Sequence, residues 1–507
     1  MLKNLLNKKL NNKQYLILIF FIFLLHLITI NWFPTNFEGA YSKLAYFFSS
    51  NNKLFLIDSF YNVQANTIFF SILASLISNF MEFIRPEIAL RLISASSYFF
   101  LIFAFKNLLI FLKREDKLFL IIIFITNPLI WYYGHRIYVD LFAFSVGIYS
   151  FSILLKTTLD KGNLLLSSLL IAFAILLKPY NLIFLPISFL YLIYKFKLNL
   201  KILFYIFIPV SIFLIFINLN NYFFGFFIVP QKHVATGDIF ITLEKVNIEY
   251  ISYIFSNFIY YVGYLGLITF PLLFRFEKKT FNKNLFVKII IFFSISFLLS
   301  NLLSSYGEIN LGPLQKFFNI DFYKFIICLN FTYILYLILS LKKIIKNDFD
   351  LKKVYFLIFI VFLYLFILSF LKLSQRYLLL VLPILYCLIF TVNNSKYIYL
   401  LNLKLNIIVI VLLLLNYNIK STLSSQLLAR LQEKKILFQT SPGPYTAHLM
   451  HEYQHLKNYK KRGLMYFGNT KNKYKISKIK PTEGSYETFS YKLFNRSLEK
   501  IYLIKVD

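Results

Sequence analysis

The chain has 507 residues, 59% of them hydrophobic and only 15% charged. A water-soluble domain carries roughly 25% charged residues, so that class is excluded, and the composition points to an all-α polytopic membrane protein with about thirteen transmembrane helices. Lysine and arginine outnumber aspartate and glutamate by 54 to 22, a net charge of +32, but they cluster in short loops between apolar runs, which reads as positive-inside topology and not as nucleic-acid binding.

Hydropathy and loop charge together thread the spans. Lys3, Lys8, Lys9 and Lys13 precede an apolar run from Tyr15 to Ile30. Asn31-Trp32-Phe33-Pro34 follows where a cleavage site of small residues would stand. The run is therefore an uncleaved first span with its N-terminus in the cytoplasm. Residues 31–91 form a long first external loop. Its Ala65–Phe80 stretch is short for a span, and counting it as one inverts every later loop against the charge rule. It is placed as a helix at the membrane interface. Spans two (92–112) and three (118–133) flank a cytoplasmic Lys113–Lys117 loop, and span four opens at Asp140 after an external Tyr133–Asp140 loop. Spans five and six make a tight hairpin around Lys178-Pro179-Tyr180-Asn181 and return to Lys195, Lys197 and Lys201. Lys-rich inner loops and outer loops then alternate to a last span near 405–417.

Residues 1–418 thus form a transmembrane domain and 419–507 an extracytoplasmic soluble domain. The tail is polar and basic, with Pro442-Gly443-Pro444 turns and strand-like runs at Ile436–Thr440 and Ile501–Val506, which suggests a small α/β fold. High Phe, Ile, Asn and Lys usage suggests a bacterial source, hence a multi-pass protein of the cytoplasmic (inner) membrane. Cys328 and Cys387 fall inside apolar runs and read as packing residues, not a disulfide.

Ionisable residues gather at the external end of the spans. Glu38 follows span one, Arg136 and Asp140 open span four, Lys178 caps the five–six hairpin, and Arg376 starts span twelve. Charges at the edge of a bilayer are costly and commonly mark a site, although each alone also serves as an interfacial anchor. Two acids with several cations suit a defined chemistry: a carboxylate takes a proton from an acceptor hydroxyl, while Arg and Lys hold a phosphate leaving group. In a membrane that phosphate belongs to a lipid. Two other readings carry different chemistry. A lipid-linked saccharide transporter or polymerase-like protein would use the same cations without a base. His451-Glu452-Tyr453-Gln454-His455, with His448 nearby, is an H-E-x-x-H sequence of the zinc metalloprotease kind. Against it, Lys457 occupies a place that such helices keep apolar.

Three stretches resemble the GT-C glycosyltransferases, multispanning enzymes that include protein O-mannosyltransferases and the lipid A aminoarabinose transferase. Glu38-Gly39-x-Tyr41-x-x-Leu44-Ala45 resembles the acidic motif of their first external loop. Asn127-Pro128 through His135, Arg136 and Asp140 resembles their "P…YY…R…D" stretch, and Gln375-Arg376-Tyr377 with Pro383 their late "RYLLP.LP" span. Glu87-x-x-x-Arg91-Leu92 and Leu177-Lys178-Pro179 support the match. Phe37 stands where the family has the first acid of a pair, so Glu38 inherits the base role, and Asp58 is a substitute second loop acid. The resemblance implies a glycosyltransferase that moves a sugar from a polyprenyl-phosphate donor to an acceptor hydroxyl on a glycan, lipid or protein at the external face. It implies Glu38 and Asp140 as catalytic acids in one cavity, and Tyr41, Asp58, His135, Arg136, Lys178 and Arg376 as substrate-binding residues. A divalent metal is an option, with His448, His451 and His455 as candidate ligands. Membrane lipid and the lipid-linked donor are the expected partners, and nucleic acid is not.

Overall fold

The computed structural model describes residues 12–32, 38–49, 68–114, 117–156, 160–198, 200–224, 248–273, 283–302, 320–344, 350–370, 374–392, 395–434, 437–438, 473–477, 480–481, 484–493 and 496–506. In chain order its helices are α1 (Asn12–Leu27), α2 (Glu38–Ser49), α3 (Ile68–Phe80), α4 (Pro86–Phe111), α5 (Leu118–Ile125), α6 (Pro128–Gly134), α7 (Val139–Lys156) and α8 (Lys161–Leu177). There follow α9 (Phe184–Phe196), α10 (Leu200–Phe224), α11 (Ile248–Ile268), α12 (Lys283–Leu302), α13 (Ile320–Ile344), α14 (Leu351–Ser369), α15 (Leu382–Val392) and α16 (Lys396–Lys434). Among the described residues four strands follow: β1 (Leu437–Phe438), β2 (Lys473–Ser477), β3 (Tyr486–Leu493) and β4 (Arg496–Val506). Among the described residues seven helices are long and apolar enough to cross a membrane, and five shorter apolar helices accompany them. The chain is a polytopic α-helical membrane protein.

The elements divide into two compact units. The first comprises Met1–Phe23, Ser96–Tyr133 and Asp140–Ile410. In it, α11 packs on α13 and α14, and α8 on α10. Gly263 and Gly266 let α11 approach closely, because a Cβ at either would overlap the Ile327 carbonyl or the Asn330 side chain. Without a hydrophobic force between helices in lipid, such close backbone approach is what joins them. The expected third span is divided: Pro128 lacks an N–H and disfavours helix in the residue before it. α5 therefore stops before Asn127, whose Oδ1 accepts the Leu129 N–H at 2.9 Å and starts α6. Both cysteines are buried and unpaired with each other.

The second unit comprises Leu24–Ala95, Gly134–Val139 and Val411–Asp507. Here α3, with 13 residues, is about 20 Å long at 1.5 Å per residue, too short for a hydrocarbon core of about 30 Å. It lies on α2 instead: Ser71 Oγ donates to the Tyr41 carbonyl at 3.1 Å, and the Tyr41 and Phe70 rings meet edge to face at 5.6 Å. The strands form one sheet in the order β1-β2-β4-β3. β2 and β3 both run antiparallel to β4, and β1 parallel to β2. Ile501 and Leu503, two apart on β4, are buried on one face. The last helix runs unbroken through position 418 to Lys434, since no Gly or Pro interrupts it. It meets the sheet through Arg430–Glu487 at 2.7 Å and Asn418–Tyr491 at 3.3 Å.

Candidate functional site

The residues singled out in the sequence fall into two clusters, one in each unit. In the second unit Glu38 opens α2 and is fully buried. An acid in the first turn of a helix is favoured by the N-terminal dipole. Three donors converge on it: Arg136 Nη2 at 3.0 Å on Oε2, and the Ile137 N–H at 2.8 Å and the Tyr417 hydroxyl at 3.0 Å on Oε1. Arg136 is buried with it and lies over the Tyr138 and Tyr417 rings at 5.1 and 5.0 Å. Arg91, from the start of α4, donates to the Tyr417 hydroxyl at 2.8 Å and also to the Thr29 and Trp32 carbonyls.

His135 lies beside this group, buried and stacked on His26 with centroids 3.9 Å apart and planes 8° apart. Its Nδ1 is 3.1 Å from Thr29 Oγ1. Burial first, then His26 and the Arg91 charge, hold His135 well below the ordinary imidazole pKa. It is therefore neutral at pH 7. A small cleft is lined by His26, Thr29, Arg91 and His135 on its polar side. Tyr41 packs on Phe70 and Tyr138, a place that shapes α2.

In the first unit Asp140, in the first turn of α7, is fully buried. Lys178 Nζ stands 2.9 Å from its Oδ1, and Arg376 Nε 3.8 Å from the same oxygen. Lys178 is placed by the chemistry of its neighbour: the residue before a proline is pushed out of helix, so α8 ends and Lys178 turns extended ahead of Pro179. Asn181 ties the hairpin by donating to the Ala143, Ala174 and Lys178 carbonyls at 3.3, 3.0 and 3.2 Å. Gly147 leaves room for it, since a Cβ there would overlap the Asn181 side chain. Arg376 and Tyr377 sit on a 3₁₀ turn, Gln375–Leu380, held by Tyr364, which donates to the Tyr377 carbonyl at 3.0 Å. The Tyr180 and Tyr377 rings lie 4.4 Å apart, with Lys178 5.7 and 5.5 Å from their centroids. Among the described residues none donates a hydrogen bond to Asp140 Oδ2, and the Arg376 side chain is 26% exposed.

Glu38 is thus paired with Arg136, and Asp140 with Lys178 and Arg376, which suits a neighbouring anion better than a divalent metal. Among the described residues no three His, Cys, Asp or Glu side chains gather as metal ligands would. Asp58, His448, His451 and His455 lie outside the described residues. The sequence reading did not single out Tyr417, His26, Tyr180 or Tyr377 as site residues. Tyr417 carried a signal nonetheless, in the Asn416-Tyr417-Asn418 triplet that interrupts the last apolar run.

No family model matches the chain, and no curated protein matches it either. Two solved structures resemble it, both of ArnT from Cupriavidus metallidurans, one bound to undecaprenyl phosphate and one in the apo state. Each is similar over 87% of this chain and 85% of that one, with 12% identity for the first, 14% for the second, and a TM-score of 0.41 for both. ArnT is a lipid A aminoarabinose transferase, a GT-C enzyme. Identity and superposition this low leave the function to be argued from the side chains.

Proposed function

We propose that the chain is a GT-C-like glycosyltransferase, with a polyprenyl-phosphate sugar as donor and a hydroxyl as acceptor, acting at the external face of a bacterial inner membrane. The observation that carries the reading is the Asp140–Lys178–Arg376 cluster. A buried carboxylate with one free oxygen beside two cations can orient an acceptor hydroxyl while the cations meet a phosphate. Arg376, the exposed member, meets the donor phosphate first, and Lys178 neutralises its growing charge. The acceptor oxygen bonds to the anomeric carbon as the bond from that carbon to the phosphate oxygen breaks; the electron pair stays on the phosphate, and the hydroxyl proton passes to a carboxylate.

Glu38 is the second acid of this proposal. Its oxygens are engaged by Arg136, Ile137 and Tyr417, which supports a role in orienting Arg136 and the acceptor side. Arg136 and Asp140 are four residues apart in the chain. The test is sugar transfer from polyprenyl-phosphate donors in membranes at matched expression. Asp140→Asn and Glu38→Gln should each abolish transfer. Near-normal turnover in both would remove the catalytic reading and favour the saccharide transporter.

A further inference from the structure

We infer that Tyr417 is a positioning residue for the Glu38–Arg136 pair, so that the last helix sets the geometry of the first-loop acid. This rests on the glycosyltransferase reading for its activity readout, but not for its geometry.

The hydroxyl of Tyr417 has one proton and two neighbours. Arg91 Nη2, 2.8 Å away, can only donate, and Glu38 Oε1, 3.0 Å away, only accepts while ionised. The hydroxyl proton must therefore point at Glu38. The order Arg91 to Tyr417 to Glu38 is fixed by chemistry, and charge at both ends strengthens both bonds. Tyr417 also places its ring 5.0 Å from the Arg136 guanidinium, so one side chain contacts both members of the ion pair. Tyr417 and Glu38 are each buried, so a lost donor costs more than it would at the surface. Trp32 closes the other side of the ring at 5.3 Å.

A tyrosine needed only for packing would not require this partner. Phenylalanine fills the same space and carries no hydroxyl that needs a partner. Here it instead completes the donor set of the acid in the first-loop motif. The helix that carries it continues to Arg430, which holds Glu487 of β3 at 2.7 Å. The C-terminal sheet thereby braces the helix that aims the hydroxyl.

The experiment is a double-mutant cycle on the full-length protein in membranes, with Tyr417→Phe, Glu38→Gln and the pair. Its readout is turnover of undecaprenyl-phosphate-linked sugars. Tyr417→Phe should lower kcat about tenfold, as expected for a hydrogen bond to a charged group, with KM for the lipid donor unchanged. Because Glu38→Gln is expected to abolish transfer, the arm of the cycle in that background is read by thermal melting in detergent, where the Tyr417→Phe shift should shrink. Wild-type kcat in Tyr417→Phe would overturn the assignment. If the wild-type protein transfers no sugar from any such donor, the glycosyltransferase reading fails, and the whole cycle is read by melting. Fully additive melting shifts would overturn the positioning role independently.

Discussion

Lys178 Nζ stands 2.9 Å from Asp140 Oδ1, and neither side chain is more than 1% exposed. Two charges removed from water depend on each other: deleting one partner of such a pair costs about 3–5 kcal/mol, because the other is left buried and uncompensated. Lys178→Met should therefore lower the melting temperature in detergent more than the double variant Lys178→Met/Asp140→Asn does. Equal or larger damage in the double variant would show that the pair contributes little and that the two groups are held by their surroundings.

Arg376 is the cluster's accessible cation. Its side chain is 26% exposed, and it touches Asp140 only at 3.8 Å. Its loss should spare the fold and weaken the donor. Arg376→Ala should raise KM for a polyprenyl-phosphate sugar about tenfold or more, the worth of a charge-assisted bond, with melting close to wild type. Unchanged kinetics for the lipid donor in both Arg376→Ala and Lys178→Ala would remove the phosphate-site assignment.

The membrane class and the hairpin carrying Lys178 were legible because they rest on composition and on local rules. An apolar run needs lipid, and a Lys before Pro179 must leave the helix. The division of the third expected span followed from Pro128, which the sequence displays, although hydropathy runs straight across it. The pairing was less legible. Nothing in the spacing says that Arg136 takes Glu38 while Asp140, four positions on, takes Lys178 and Arg376. Such choices depend on helix packing between residues that stand 98, 38 and 236 positions apart in the chain. For the same reason Tyr417, which is 379 positions from Glu38, was overlooked.

His135 gives a pH dependence whose sign follows from its burial. Its pKa is held well below the ordinary 6.5 by burial, His26 and Arg91. The folded state thus resists the proton that the unfolded chain accepts. Stability from this group is complete above about pH 6.5 and is lost as the pH falls below it, because the unfolded state then binds more protons. The melting temperature of the wild-type protein should fall between pH 6.5 and 5 more steeply than that of His135→Gln. Parallel curves would show that His135 does not carry the effect.

Topology decides whether any of this chemistry faces outward. Loops alternate between Lys-rich and Lys-poor along the chain, and short basic loops stay in the cytoplasm. The 342–353 stretch holds Lys342, Lys343, Lys346, Lys352 and Lys353, so a cytoplasmic position is expected for it. With one further helical excursion and return, span thirteen is expected to run outward and the tail after it to lie outside. The tail is basic as well, but a long domain translocates largely regardless of charge. Reporter fusions at Lys346 and Tyr459 should therefore report opposite sides, cytoplasmic for the first and external for the second. An external Lys346 would invert the threading from span ten onward. It would move the Arg376 turn to the cytoplasmic side. A cytoplasmic Tyr459 with a cytoplasmic Lys346 would instead remove one crossing after Lys346. The first-loop acid would keep its side and the C-terminal sheet would lose its external placement, while the Arg376 turn would stay external only if the lost crossing follows it.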